Sequence, residues 1–223
     1  MFLRNTKNRR LGEQRHKRLL RKLDSQLINK AKNKFKKQFR GPSQYFHTKS
    51  IELARNPRKF LSLEHIESIY AVITAWGMHR MGPNETKVPD FNVFRKSILD
   101  NKEILKKLRT RRMEDDDFKD LKKVLRSIKG SESSAQLVAN SKVLAHILPD
   151  LVAPIDRAYT LRFYGYSYPY SLKEQVKLFV HLSKKMAEIV RKIKEKSKTK
   201  SNLPKVVDNL IILKAPKKAK KKK

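Results

Sequence analysis

The stretch Ser171-Leu-Lys-Glu-Gln-Val-Lys-Leu-Phe-Val-His-Leu-Ser-Lys-Lys-Met-Ala-Glu-Ile-Val-Arg-Lys-Ile193 decides the fold class. Val176, Phe179, Val180, Leu182, Met186, Ile189 and Ile193 recur at three- and four-residue steps, the period of one helix face. Ser171 and Glu174 form a capping box at its start. The same period runs outward in both directions. Upstream, Ile66, Ile69, Tyr70, Ile73 and Trp76 carry it to Gly77, and Asp90 caps a helix with Phe91, Phe94, Ile98, Leu105 and Leu108, interrupted near Asp100-Asn101. Phe118 to Ile128, Ser134 to Leu148, Asp156 to Phe163 and Leu203 to Leu213 read as further helices, and Ser43 to Arg55 as a short one. Strand-like alternation is nowhere sustained, so the expected class is all-α with one multi-helix domain.

Near the N-terminus, Leu20, Leu23, Leu27, Ala31 and Phe35 repeat at helical spacing, which predicts one long basic amphipathic helix from about Leu11 to Phe39, ended by Gly41-Pro42. The expected organisation is a basic N-terminal arm over 1–42, a helical core over 43–200, and over 201–223 a short apolar element with a Lys-rich tail, disordered or ordered by a partner.

The 223 residues hold 55 Lys and Arg against 21 Asp and Glu, a formal charge of +34. Such a chain needs a counter-charge, and a polyphosphate backbone supplies it, because each neutralised phosphate releases condensed counterions. The runs Lys30 to Arg40 and Lys214 to Lys223 contain no acid at all, unlike an ordinary solvated helix face. The residues expected on phosphates are Arg9, Arg10, Arg15, Lys17, Arg18, Arg21, Lys22, Lys30, Lys32, Lys34, Lys36, Lys37 and Arg40, with Lys217, Lys218, Lys220, Lys221, Lys222 and Lys223. The expected partner is nucleic acid, ribosomal RNA or DNA, with a slight preference for structured RNA in a ribonucleoprotein assembly. No run of about 20 apolar residues suggests a membrane span, and the absence of cysteine excludes disulfides and thiol chemistry, so a cytoplasmic location is expected. The basic amphipathic helix offers another reading, docking on a partner or a membrane surface, which requires its apolar stripe to be exposed.

Two segments, Ala75-Trp-Gly-Met-His-Arg-Met-Gly82 and Ser141-Lys-Val-Leu-Ala-His-Ile-Leu-Pro-Asp150 continuing through Pro154-Ile-Asp-Arg-Ala-Tyr-Thr-Leu-Arg-Phe163, resemble a family of uncharacterised prokaryotic proteins. The resemblance spans roughly residues 45–180 and implies no particular activity. A weaker similarity is to the helix-hairpin-helix DNA glycosylases, in which a Gly-bearing hairpin is followed by a catalytic aspartate. Gly130 and Asp156 stand in comparable places. The hairpin lacks its second glycine, no Thr-His follows Asp156, and Lys142 is out of step with the lysine of the bifunctional enzymes. The resemblance implies a DNA-repair-like enzyme with Asp156 as its catalytic candidate.

The residues read alone leave each cluster with two meanings. Asp156, after Pro154, is either an acid in a pocket or a helix N-cap, and the cap is the favoured reading. Trp76, His79 and Arg80 are either a stacking platform or the end of a core helix, and the core is favoured. If a hidden site exists, it gathers Trp76, His79, Arg80, Lys142, Asp156, Arg157, Tyr159 and Arg162. The six histidines show no metal-ligand spacing, and no Gly-rich phosphate loop is present, so no metal and no cofactor is expected.

Overall fold

The structure, a computed structural model, describes residues 6–38, 41–78, 87–115, 118–197 and 202–216. Their helices are α1 (Thr6–Arg21), α2 (Ser25–Gln38), α3 (Pro42–Arg55), α4 (Leu63–Ile73), α5 (Phe91–Leu99), α6 (Lys102–Leu108), α7 (Lys119–Ser127), α8 (Gln136–Ile147), α9 (Arg162–Tyr164), α10 (Leu172–Lys196) and α11 (Leu203–Lys214). π-helical turns extend α4 over Thr74–Met78 and precede α9 over Arg157–Leu161. No strand occurs among the described residues. α10 is the central rod, its apolar face of Val176, Phe179, Leu182, Met186, Ile189 and Ile193 buried against α1, α7, α8 and α11. The Ser171 hydroxyl accepts from the Glu174 amide at 3.3 Å and starts it.

The N-terminal segment differs from the single long helix its periodicity predicts. The chain breaks at residues 22–24, and the Asp24 carboxylate accepts the Leu27 amide at 2.7 Å as the cap of a second helix. The apolar rhythm passes through the break because Leu23, at 4% exposure, still points into the same core as Leu19 and Ile28. Of that stripe Leu23 and Ala31 are buried, and Leu20 and Leu27 are half-buried against the same core.

α1 is held by close backbone approach. A Cβ on Gly12 would lie 2.0 Å from the Tyr164 carbonyl oxygen, and one on Gly165 would lie 2.0 Å from that of Asn8. Gly165 also adopts φ +73°, which only glycine takes without strain. Arg15 donates to the carbonyls of Phe163 at 2.6 Å and Arg162 at 3.0 Å, satisfying the end of α9. At the other end of the chain, α11 packs on α2 and α10, and Asn209 donates to the Ala31 carbonyl. The terminal helices therefore share one hydrophobic cluster with the middle of the chain. No described helix is long and apolar enough to cross a membrane.

Candidate functional site

Two regions gather the sequence's candidates, the outer face of α1 and a crevice between α3, α8 and the turn after α4. On α1, Lys7, Arg10, Gln14, Lys17, Arg18 and Arg21 are all exposed. At about 100° per residue these positions fall within an arc of roughly 100°, opposite the buried Gly12, His16 and Leu19. The two acids nearest the stripe are engaged on its inner flank, Glu13 with Lys185 at 2.9 Å and Glu188 with His16 at 2.8 Å. Lys185 and the Glu13 carboxylate bond to one another, and this holds Glu13 below its ordinary pKa against the opposing effect of burial. The side chains of Lys7, Arg10, Lys17, Arg18, Arg21 and the following Lys22 make no hydrogen bond or ion pair among the described residues. They form a row of free cations about 21 Å long, the rise of fourteen helical residues.

Not every predicted phosphate contact lies on that row. Arg9 turns inward over the Tyr166 ring, 5.8 Å from its centroid, and Arg15 caps α9. Lys7, which the sequence reading passed over, joins the row by helical phase. Lys30 is exposed and Lys32 half-buried on α2. The side chains of Lys34, Lys36 and Lys37, and all of Arg40, His79, Arg80, Lys217, Lys218 and Lys220 to Lys223, lie outside the described residues.

The crevice is built on hydrogen-bonded histidines. His146 Nδ1 lies 2.7 Å from the Lys142 carbonyl, which can only accept, so Nδ1 carries the proton and Nε2 is a lone pair. His47 Nδ1 lies 3.0 Å from that Nε2 and must donate, which leaves His47 Nε2 as an acceptor. Burial lowers both rings, His47 to about 4 and His146 to about 3, so the pair is neutral at physiological pH. His65, buried beneath α3, accepts the Leu61 amide on Nδ1 and is likewise lowered by burial to about 4.

Trp76 closes the crevice. Its ring is half-buried against the core, with centroids 5.0 Å from His146 and 5.8 Å from His47. Lys142 Nζ stands 5.8 Å from the indole centroid and 3.8 Å from Asp156 Oδ2. Lys142 thus joins the Trp76 and Asp156 clusters into one locale. The free space among His47, Trp76, Pro154, Asn202 and Lys205 is about 10 Å³, room for roughly one water. His47 and Lys205 carried no local sequence signal. His146 carried a weak one, as it sits one helical turn from Lys142.

Asp156 is a cap. Its Oδ1 accepts the amides of Ala158 at 2.6 Å and Tyr159 at 3.3 Å, leaving Oδ2 for Lys142. Arg157 is exposed and stacks on Tyr168, Tyr159 is exposed, and Arg162 reaches the Pro216 carbonyl at 3.5 Å. Gly130 does not offer its amide to a ligand: it donates to Asn140 Oδ1 at 2.9 Å, while the Asn140 amide group ties down the carbonyls of Leu125 and Ile128. No group of three or more His, Asp or Glu placed to hold a metal occurs among the described residues. No family model, curated protein or solved structure matches the chain.

Proposed function

We propose that this protein is a non-catalytic nucleic-acid-binding protein, held on the phosphate backbone by the unpaired cationic row of α1. That row is the observation that carries the reading. Over about 21 Å a duplex presents on the order of a dozen phosphates, and free guanidinium and ammonium groups in line neutralise several without reading bases. The acid-free runs Lys30 to Arg40 and Lys214 to Lys223 extend the same charge, and a ribonucleoprotein fits the preference for structured RNA. The test is anisotropy with an RNA hairpin and a DNA duplex of equal length over a salt series. Affinity is expected to fall steeply with salt for both and to be slightly higher for the hairpin. A flat salt response overturns the proposal.

One contact favours a second reading, a nucleic-acid enzyme akin to the helix-hairpin-helix glycosylases. Lys142 Nζ and Asp156 Oδ2 stand 3.8 Å apart beside an indole, an amine and a carboxylate in reach of one reacting centre. Against it, Oδ1 of Asp156 is engaged in capping and the Gly130 amide is engaged by Asn140. Base release or strand nicking on damaged duplexes, lost on Asp156→Asn with binding retained, supports this reading. Failure to act on any damaged duplex ends it.

A further inference from the structure

Around residues 157–177 lies a surface that the phosphate-binding row does not explain. The Arg157 guanidinium lies 3.8 Å from the centroid of the Tyr168 ring, close enough to be a stack. The ring beneath is fixed: its hydroxyl donates to Gln175 Oε1 at 2.8 Å. Gln175 is itself 1% exposed, accepts the Leu137 amide and donates to the carbonyls of Ser134 and Tyr170. Arg157 is the first residue of the turn that Asp156 caps, so its backbone is set as well. The stack is therefore rigid on its inner side while Arg157 faces solvent.

Beside it, Tyr170 is 92% exposed, an outlier among the large apolar side chains. Its backbone is tied to the same anchor, since Gln175 donates to the Tyr170 carbonyl at 3.2 Å. A solvent-facing guanidinium plane anchored on its inner side, with an exposed phenol ring two residues beyond its partner ring, is complementary to the faces of unpaired bases.

Resting on the nucleic-acid reading above, we infer that the Arg157–Tyr168 stack and Tyr170 form a platform on which bases of single-stranded nucleic acid stack. Stacking accepts every base, because each has a π face, so the platform prefers single strands over duplex without reading sequence. A duplex keeps its bases inside and engages the α1 row alone.

The test uses the full chain and three labelled oligonucleotides of equal length: a single strand, its duplex, and the same strand with abasic sites throughout, which keeps the phosphates and removes the bases. Wild type is expected to bind the single strand more tightly than the abasic strand. Tyr170→Ala and Arg157→Lys, the latter retaining charge while removing the planar stack, are each expected to lower single-strand affinity about tenfold and leave the duplex and abasic strands unchanged. Equal binding of the base-bearing and abasic strands, or unaltered single-strand affinity in both variants, overturns the platform. Loss of duplex binding in an α1 variant with the platform's base-dependence retained tests the phosphate reading separately, so the two claims fail by different readouts.

Discussion

The outer face of α1 and the paired helices α6 and α7 are both basic, yet they present different surfaces. On α6 and α7, Lys106 bonds Glu103 at 2.9 Å, Lys107 bonds Asp120 at 3.2 Å, and Lys123 lies 3.6 Å from the same Asp120. The pairs are exposed and worth little to stability, and they set two carboxylates among the lysines of that face, offsetting part of its charge. On α1 the one acid, Glu13, lies on the inner flank bonded to Lys185, and no carboxylate bonds the outer row among the described residues. The two faces differ in the place of their acids more than in the number of their basic residues.

The largest expected effect breaks the comparison at α1. Changing Lys7, Arg10, Lys17 and Arg18 together to Gln should weaken nucleic-acid binding at 0.1 M salt on the order of a thousandfold, since four counterion-releasing contacts are removed. Circular dichroism should show an unchanged helix content, as these residues are exposed.

Acid sharpens the comparison from within the core. His65 binds its proton more weakly folded, at about 4, than unfolded, so its contribution to stability is whole above about pH 6.5 and is lost as pH falls toward 4. The loss is about 3 kcal/mol for this one ring. Urea titrations at pH 7.5 and 4.5 read it together with the contributions of the same sign from His47 and His146. Because His47, His65 and His146 stay neutral down to low pH, they add no cation to either face, and binding should not strengthen through them between pH 7.5 and 5.5.

Gly12→Ala attacks the seat of α1. The new methyl meets the Tyr164 backbone, which cannot swing aside as a side chain can, and about 2 kcal/mol of stability should be lost in the same denaturation assay. Smallest is the matching change on the other face: Lys106, Lys107 and Lys123 to Gln together should alter affinity by less than about threefold, because each already has a carboxylate neighbour, Glu103 or Asp120, that offsets part of its charge.

The sequence carried the helices well where periodicity and caps agreed. Asp90 accepts the Asn92 amide at 2.8 Å, Ser171 caps α10, and the interruption at Asp100-Asn101 separates α5 from α6. It misled at Leu23, where a buried residue in a break continues the rhythm of the helices on either side. The Asp24-Ser25 cap was the missed signal. The crevice was less legible. His47 and His146 are 99 residues apart, and nothing local marks two rings that the fold places in one hydrogen bond. Asp156 read as a cap and is one, while its second oxygen faces Lys142, a relation only the packing of α8 against the turn after Pro154 creates. Charge alone marked Arg9 and Arg15 as surface cations, whereas helical phase and the open carbonyls of α9 draw them inward.

The most direct test is lysine acetylation footprinting of the full chain, free and bound to an RNA hairpin, read by mass spectrometry. Protection of Lys7, Lys17 and Lys22 on binding, with Lys106, Lys107 and Lys123 labelled equally in both states, is the predicted result. Protection of the α6–α7 lysines with those of α1 left reactive would contradict the account.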